Sequence, residues 1–327
     1  VTLSADRLEN MSDYVRQNVV DIDYKLDEPW AILSAIEQSI KQKIESVGTP
    51  LKDWDIRINY GIKTGLNEAF IISKEKRDEL VKADPKSDEI IRPILRGRDI
   101  GRNSYIFADL YVITAYKGIS LIMKETYPAV FEHLKQFEER LRKRGQCEGT
   151  ATSPGSNQHH WLELDNNVSR EKLDDFNSPK IMWAETMRIH KNNRTNFPRF
   201  SFCDEPMTTD KTCFIAIAKD HPFFILGFMN SAIGRYSLKR CVSILDDGGY
   251  LLQKSYLETV LLPSTSDTET IQQVEKLVED ALHDETPEVR RKIDNLYYKL
   301  FSFSQEEIQF IEKDNSILNA RNLSVAK

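Results

Sequence analysis

The spacing of apolar positions changes several times along the 327-residue chain, and each change marks a predicted element. Residues 1–27 are polar without a clear period, which predicts a partly ordered lead-in with one short helical piece near Ala5–Val19. Trp30, Leu33, Ile36, Ile40 and Ile44 then recur at three- and four-residue steps, one face of an amphipathic helix of about 20 residues that Gly48-Thr49-Pro50 ends. Two short apolar runs, Ile56–Ile62 and Ala69–Ile72, flank Lys63, Thr64, Gly65, Leu66 and Asn67. Gly65 and Asn67 tolerate positive φ best, so the spacing predicts a β-hairpin. A helix over Lys74–Lys82, strand character over Tyr105–Tyr116 and a long helix over Tyr127–Arg144 follow, the last with Val130, Leu134, Phe137 and Leu141 on one face.

The second half begins with an apolar run at Lys180–Met187 that predicts a buried strand, then strands at Phe200–Phe202 and Thr212–Ala218 and an apolar helix at Pro222–Leu238. After the polar hinge Ser264–Asp267 come helices at Thr268–His283 and Pro287–Phe301. Ile271, Val274, Leu277, Val278 and Leu282 form the seam of the first, and Ser304-x-x-Glu307 is a capping box for a last helix. The pattern predicts an α+β fold, with mixed and antiparallel β-structure and packed helices in residues 53–263. Residues 1–52 form a lead-in and connector helix, and residues 264–327 a C-terminal helical segment.

The formal net charge of −6 argues at first against a polyanionic partner. Its distribution changes that reading, because residues 53–262 hold 31 Lys+Arg against 29 Asp+Glu while the flanks hold 14 against 22. The acidity lies at the ends, and the middle is mildly basic. Four cysteines (Cys147, Cys203, Cys213, Cys241) lack Cys-x-x-Cys spacing, which predicts free thiols in a reducing cytoplasm and no zinc site. The neighbouring His159 and His160 have no carboxylate or cysteine at ligand spacing and predict no metal centre. No apolar run approaches the roughly 20 residues of a membrane span, so no membrane partner is expected. The first residue is Val1 rather than Met, which suggests a piece of something longer.

Several basic groups suit a phosphate backbone. Lys63, Thr64 and Asn67 would project a cation, a hydroxyl and an amide from one tight turn. Arg96 and Arg98 flank Gly97, and either contact a polyanion or form ion pairs such as Arg98–Asp99. Arg142, Lys143 and Arg144 crowd a helix C-terminus beyond what the helix dipole requires. The stretch Arg188–Arg199 has four Arg/Lys, one His, three Asn and no acid; within it Arg188, Lys191, Asn192, Asn193 and Arg194 are the candidates for contacting bases or phosphates. Arg and Asn can grip guanine and adenine edges with two hydrogen bonds, and Lys suits phosphate. A solvated basic loop is the plain alternative.

Catalytic patterns are missing. There is no Gly-x-Gly-x-x-Gly after a strand, no Gly-x-x-x-x-Gly-Lys-Ser/Thr loop, no Gly-x-Ser-x-Gly elbow and no zinc-deaminase pattern. Neither an Asn-Pro-Pro-aromatic tetrapeptide nor a convincing Pro-Asp…Glu-x-Lys core occurs. The expectation is a segment that is not a catalyst by itself and holds no cofactor of its own.

Tyr60-Gly-Ile-Lys-Thr-Gly-Leu-Asn-Glu-Ala-Phe-Ile-Ile72 resembles the entry motif of the TaqI-type C-terminal specificity domain, the target-recognition domain of adenine-specific DNA methyltransferases and type IIG restriction–modification enzymes. Ile90–Ile100 resembles the family's second block, and Tyr127-Pro128, Leu134, Leu141–Arg144, Phe176-x-x-Pro-Lys-Ile181, Leu226–Ser231 and Tyr298–Ile308 continue the likeness from about Glu28 to Lys313. The resemblance implies a module that holds double-stranded DNA and reads its sequence. The catalytic partners would be a methyltransferase domain using S-adenosylmethionine and, in type IIG forms, a nuclease domain using Mg2+, both in the parent enzyme. Two alternatives remain: a helical protein-interaction or assembly module, and a nuclease acting alone.

Overall fold

In the computed structural model the residues described are 33–145, 147, 149–150, 153–154, 159–165, 168–188, 197–245, 248–264 and 266–321, without the side chains of 149–150, 153–154 and 315–321. The first half contains α1 (Ala35–Val47), β1 (Gly48–Pro50), β2 (Ile56–Tyr60), the single turn α2 (Asn67–Phe70), β3 (Ile71–Ser73), α3 (Lys74–Ala83), β4 (Ile91–Leu95), β5 (Leu110–Ile113), α4 (Pro128–Lys135) and α5 (Glu138–Arg142). The second half supplies β6 (Lys180–Ala184), β7 (Thr186–Arg188), β8 (Phe200–Cys203), β9 (Thr208–Thr209), β10 (Cys213–Ala218), α6 (Pro222–Asn230), α7 (Ala232–Cys241), β11 (Ser243–Ile244), β12 (Gly249–Leu251) and β13 (Leu261–Pro263). It ends with α8 (Thr268–His283), α9 (Pro287–Leu300) and α10 (Gln305–Arg321). The fold is α+β, as the sequence predicts.

A four-stranded antiparallel sheet in the order β8-β6-β10-β2 forms the partition of the molecule. A second sheet runs β9-β4-β5-β3, parallel only at β9–β4, and a third runs β11-β12-β7. On one face of the partition Ile181, Trp183, Phe200, Phe214 and Ala216 join α1 and α6 to α10 in one core. Met182, Cys203, Cys213 and Ile215 face the other way, into a core shared with the second sheet and α4. Successive strand residues alternate faces, so a strand covered on both sides must be apolar throughout. This is why Lys180–Ala184 reads as one uninterrupted run, buried at every position. Trp183 lies in register between Phe200 and Phe214, with ring centroids at 5.6 and 5.5 Å, and its indole N–H donates to Leu252 O at 3.0 Å. Lys180, the polar member, donates to the carbonyls of Phe176, Ser178 and Glu205 at 2.9, 3.3 and 2.7 Å.

Ile271, Val274 and Val278 of α8 and Ile293 and Tyr297 of α9 belong to the first core, so these helices spend their apolar faces within the chain. The Ser304–Glu307 box forms as predicted, with Ser304 N donating to Glu307 and Glu307 N to Ser304 Oγ.

Three predicted elements differ. The Tyr60–Phe70 region is not a hairpin: β2 pairs with β10, and β3 pairs with β5. Ile58 packs in the first core and Phe70 and Ile72 in the second, so burial sends the two runs to different sheets. The expected long helix over Tyr127–Arg144 is two, because i→i+3 bonds from Gln136 to His133 and Phe137 to Leu134 tighten and close α4. The Pro222–Leu238 run also divides, at Ser231, whose hydroxyl accepts from Gly234 N at 3.0 Å and starts a new helix.

Candidate nucleic-acid interface

In an antiparallel sheet, alternate strands end at the same edge. At one edge of the partition β2 and β6 finish while β8 and β10 begin, so residues 61–67, 185–188, 197–199 and 209–212 all leave from there. The turn after β4 joins them, since β4 runs parallel to β9 and Asp210 N donates to Leu95 O at 2.9 Å. Long-range pairing thus brings Lys63, Arg96, Arg98 and Arg188, far apart in sequence, to a common end of the molecule.

The chain leaves β2 by passing very close to residues 209–213. Gly61 N donates to Cys213 O at 2.9 Å and Ile62 N to Thr209 O at 2.7 Å. A Cβ on Gly61 would stand 2.0 Å from Asp210 O, so only glycine fits. Gly65, at φ 72°, needs glycine twice over, because a Cβ there would also meet Asp165 Oδ1 at 2.5 Å and Arg144 Cδ at 2.6 Å. Thr64 is 2% exposed and donates to Asn67 Oδ1 at 2.6 Å. The expected trio is therefore corrected: Thr64 is turned inward to fix the loop, Asn67 is exposed, and Lys63 leans 3.5 Å from Asp165.

Arg144 is the second correction. It is 7% exposed, and its five N–H groups are fully used. Nε donates to Leu141 O at 3.0 Å, Nη1 to Thr64 O at 2.8 Å and Asp165 Oδ1 at 3.3 Å, and Nη2 to Trp161 O at 2.7 Å and Glu163 O at 2.8 Å. No donor remains for a phosphate; the residue clamps the 61–67 loop to residues 159–165. Burial would raise the Asp165 pKa, but His159 at 3.1 Å, Arg144 and Lys63 outweigh it and hold the carboxyl below the usual range. His159 Nδ1 lies 2.9 Å from His160 O.

The remaining basic residues of that helix lie outside. Arg142 pairs with Glu138 at 2.8 Å and sits 5.2 Å from the Trp161 ring, and Lys143 pairs with Glu139 at 2.6 Å. The Lys143 pair is exposed, and exposed i,i+4 pairs are worth only about 0.3–0.5 kcal/mol, so Lys143 can exchange its carboxylate for another anion at little cost.

At the Arg96–Asp99 turn the ion pair falls on Arg96, not Arg98. Arg96 Nε and Nη2 each reach Asp99 at 2.8 Å, and Arg96 N donates to the same carboxylate at 2.8 Å. Burial opposes ionisation of Asp99, yet these bonds keep its pKa below normal. Arg98 is exposed and has no hydrogen bond or ion pair among the described residues. Gly97 N donates to Thr212 Oγ1 at 3.2 Å, tying this turn to the next. There Asp210 accepts from Thr212 N at 3.0 Å and Thr212 Oγ1 at 2.5 Å, a local turn with Lys211 at its exposed tip. Lys211 was missed in the sequence reading; the Asp-x-Thr spacing was the signal. Arg188 is exposed at the end of β7, opposite Gly249 of β12, and its carbonyl accepts from Arg199 Nη1 at 3.2 Å. Lys191, Asn192, Asn193 and Arg194 lie outside the described residues.

Among the described residues no group of three or more His, Cys, Asp or Glu is placed to hold a metal, and no helix is long and apolar enough to cross a membrane. Cys147, Cys203 and Cys213 are buried free thiols and Cys241 is half-buried. The edge offers exposed cations on turns fixed by side-chain hydrogen bonds, which is chemistry for holding an anion.

No family model and no curated protein matches the sequence. Solved structures do match in fold. One is described as the type IIL restriction–modification enzyme MmeI in complex with DNA, at 13% identity and a TM-score of 0.56, covering 80% of this chain and 35% of that one. Another is the type IIG restriction endonuclease BpuSI, at 14% identity and a TM-score of 0.51, covering 89% and 33% respectively. The chain spans about a third of the length of either.

Proposed function

We propose that this chain is the DNA-recognition module of a restriction–modification enzyme, which grips a duplex at the sheet edge carrying Lys63, Arg98, Arg188 and Lys211. The observation that carries the reading is the convergence of these residues at one edge, in a fold shared with MmeI, whose structure is described as a DNA complex. In this reading Arg98, Lys211, Arg142 and Lys143 neutralise phosphates, and the stretch from Arg188 through Arg194 reads bases. The module would take the form of a TaqI-type specificity domain. It would position a separate adenine methyltransferase part, which would bind S-adenosylmethionine, with or without a nuclease part. The helical-assembly alternative is disfavoured by the burial of the α8 and α9 seams inside the chain's own core.

A gel-shift titration on randomised duplex over a salt series tests the proposal. Retardation that weakens steeply with salt is expected, since each neutralised phosphate contributes about −0.9 to the slope of log K against log salt. No retardation even at low salt would overturn it. Arg194→Ala should cost more affinity on the preferred site than on bulk duplex.

A further inference from the structure

Beyond the exposed cations of the sheet edge, one cavity of about 180 Å3 gathers three arginines. It lies where α7 begins, bounded by Arg102, by the end of α6, and by Arg290, Asp294 and Glu312 from α9 and α10. Two arginines are already paired: Glu285 accepts from Arg102 Nε at 2.7 Å and from Arg290 Nη2 at 2.7 Å. Asp294 accepts from Ala232 N at 2.7 Å in the first turn of α7. Asn230 and Ser231 line the cavity but spend their donors on Asn103, Phe200 and Phe228.

Arg235, one turn into α7, differs. Its Nε and Nη2 are buried and find no acceptor among the described residues. These two donors form one edge of the guanidinium, the edge with which Arg96 grips both oxygens of Asp99. A buried donor without an acceptor is unfavourable, and two on one edge match an oxyanion's two oxygens. Of the three arginines, Arg102 and Arg290 share the half-buried Glu285, half-buried Asp294 is engaged by Ala232 N, and Glu312 is exposed at the rim. The volume equals several waters at roughly 30 Å3 each. It falls short of the roughly 300 Å3 at which pockets for larger organic ligands begin.

We propose that this cavity is an oxyanion site, in which Arg235 takes a phosphate-type group through its Nε–Nη2 edge and Arg102 and Arg290 supply the surrounding positive charge. Either a free phosphate or a phosphodiester of bound DNA has this chemistry, the second because Phe197, at the end of the Arg188–Arg199 stretch, also lines the cavity. The site does not depend on the DNA reading.

The test uses the full chain with inorganic phosphate, by isothermal titration and by thermal melting in phosphate against chloride at equal ionic strength. Saturable binding and a phosphate-specific rise in Tm are expected. Arg235→Lys, which keeps the charge and removes the edge, should weaken phosphate at least tenfold. Glu312→Gln, an exposed change, should strengthen it severalfold. No saturable phosphate binding to the unaltered chain, or equal binding by Arg235→Lys, overturns the proposal. So does a Glu312→Gln variant that is destabilised and shows no phosphate dependence, since Glu312 would then itself be the acceptor for Arg235. If Arg235→Lys also weakens duplex DNA, the phosphodiester is the source; if DNA affinity is unchanged, the free anion is. No DNA binding by the unaltered chain, with phosphate binding intact, would sink the recognition reading and leave this site standing.

Discussion

Replacing Arg144 by Met separates structural arginines from those proposed to contact DNA most sharply. Methionine fills much of the same volume and removes all five donors at once. The change leaves Asp165 buried with Lys63 at 3.5 Å as its cationic neighbour and the His159 ring at 3.1 Å, and strips a donor from the carbonyls of Thr64, Leu141, Trp161 and Glu163. Breaking one side of a buried ion pair costs about 3–5 kcal/mol, and each orphaned buried acceptor about 1–3 kcal/mol. These costs overlap, because the loop relaxes as one unit and Leu141 O keeps the Arg144 backbone N–H at 3.3 Å. A net loss of roughly 3–5 kcal/mol is expected, a large share of a typical domain's 5–15 kcal/mol.

Urea unfolding with a fixed slope reads that loss directly. Hydrogen exchange should locate it in residues 61–67 and 159–165, the two segments that Arg144 joins. Arg144→Lys keeps the charge but offers three donors for five acceptors, so its loss should be intermediate. DNA affinity, measured well below the melting point, should follow the folded fraction. A variant within about 0.5 kcal/mol of the unaltered chain that nevertheless loses most of its DNA affinity would refute the clamp and return Arg144 to the phosphate-contacting set.

Arg98→Ala with Lys211→Ala makes the opposite prediction: an unchanged urea midpoint, and a salt slope for DNA binding shallower by about 2. Gly61→Ala should destabilise by roughly 1–3 kcal/mol in the same urea assay, because its Cβ would stand 2.0 Å from the backbone oxygen of Asp210. Burial pushes the Asp294 carboxyl up from 3.8 to about 6, so the folded chain binds this proton more tightly than the unfolded chain. That contribution to stability is fully present below pH 3.8 and is lost as pH rises towards 6, by up to about 3 kcal/mol. Asp294→Asn should therefore gain on the unaltered chain between pH 4 and pH 7 in melting experiments, and a constant difference would contradict the assignment.

Elements whose cause is local were legible in the sequence. The α8 boundaries, the Ser304–Glu307 box and the two-sided burial of Lys180–Ala184 all follow from periodicity and capping within a few residues. What escaped was set by distant parts of the chain. The two runs around Lys63 looked like hairpin arms because nothing nearby reveals that β10 and β5 claim them. Arg142, Lys143 and Arg144 are one basic run in sequence, yet only the third meets the carbonyls at Trp161 and Glu163 and is buried. A cation's side of the surface depends on partners some twenty residues away, and composition does not carry that information.

The arrangement at the sheet edge follows from this division of labour. Each exposed cation rides on a turn that a buried or paired neighbour fixes. The Arg96–Asp99 pair shapes the turn that carries Arg98, Asp210 and Thr212 shape the one that carries Lys211, and Arg144 with Asp165 holds the loop of Lys63. Such preorganisation matters because ordering flexible groups at an interface costs about 0.5–1.5 kcal/mol for each side chain. Fixing the backbone in advance confines that cost to the side chains. The basic residues that carry no DNA in this reading, Arg96 and Arg144, are therefore needed for the ones that do. Weakening either should loosen DNA binding through the geometry of a turn, with the salt slope unchanged, while removing Arg98 or Lys211 should change the slope and leave the turns intact.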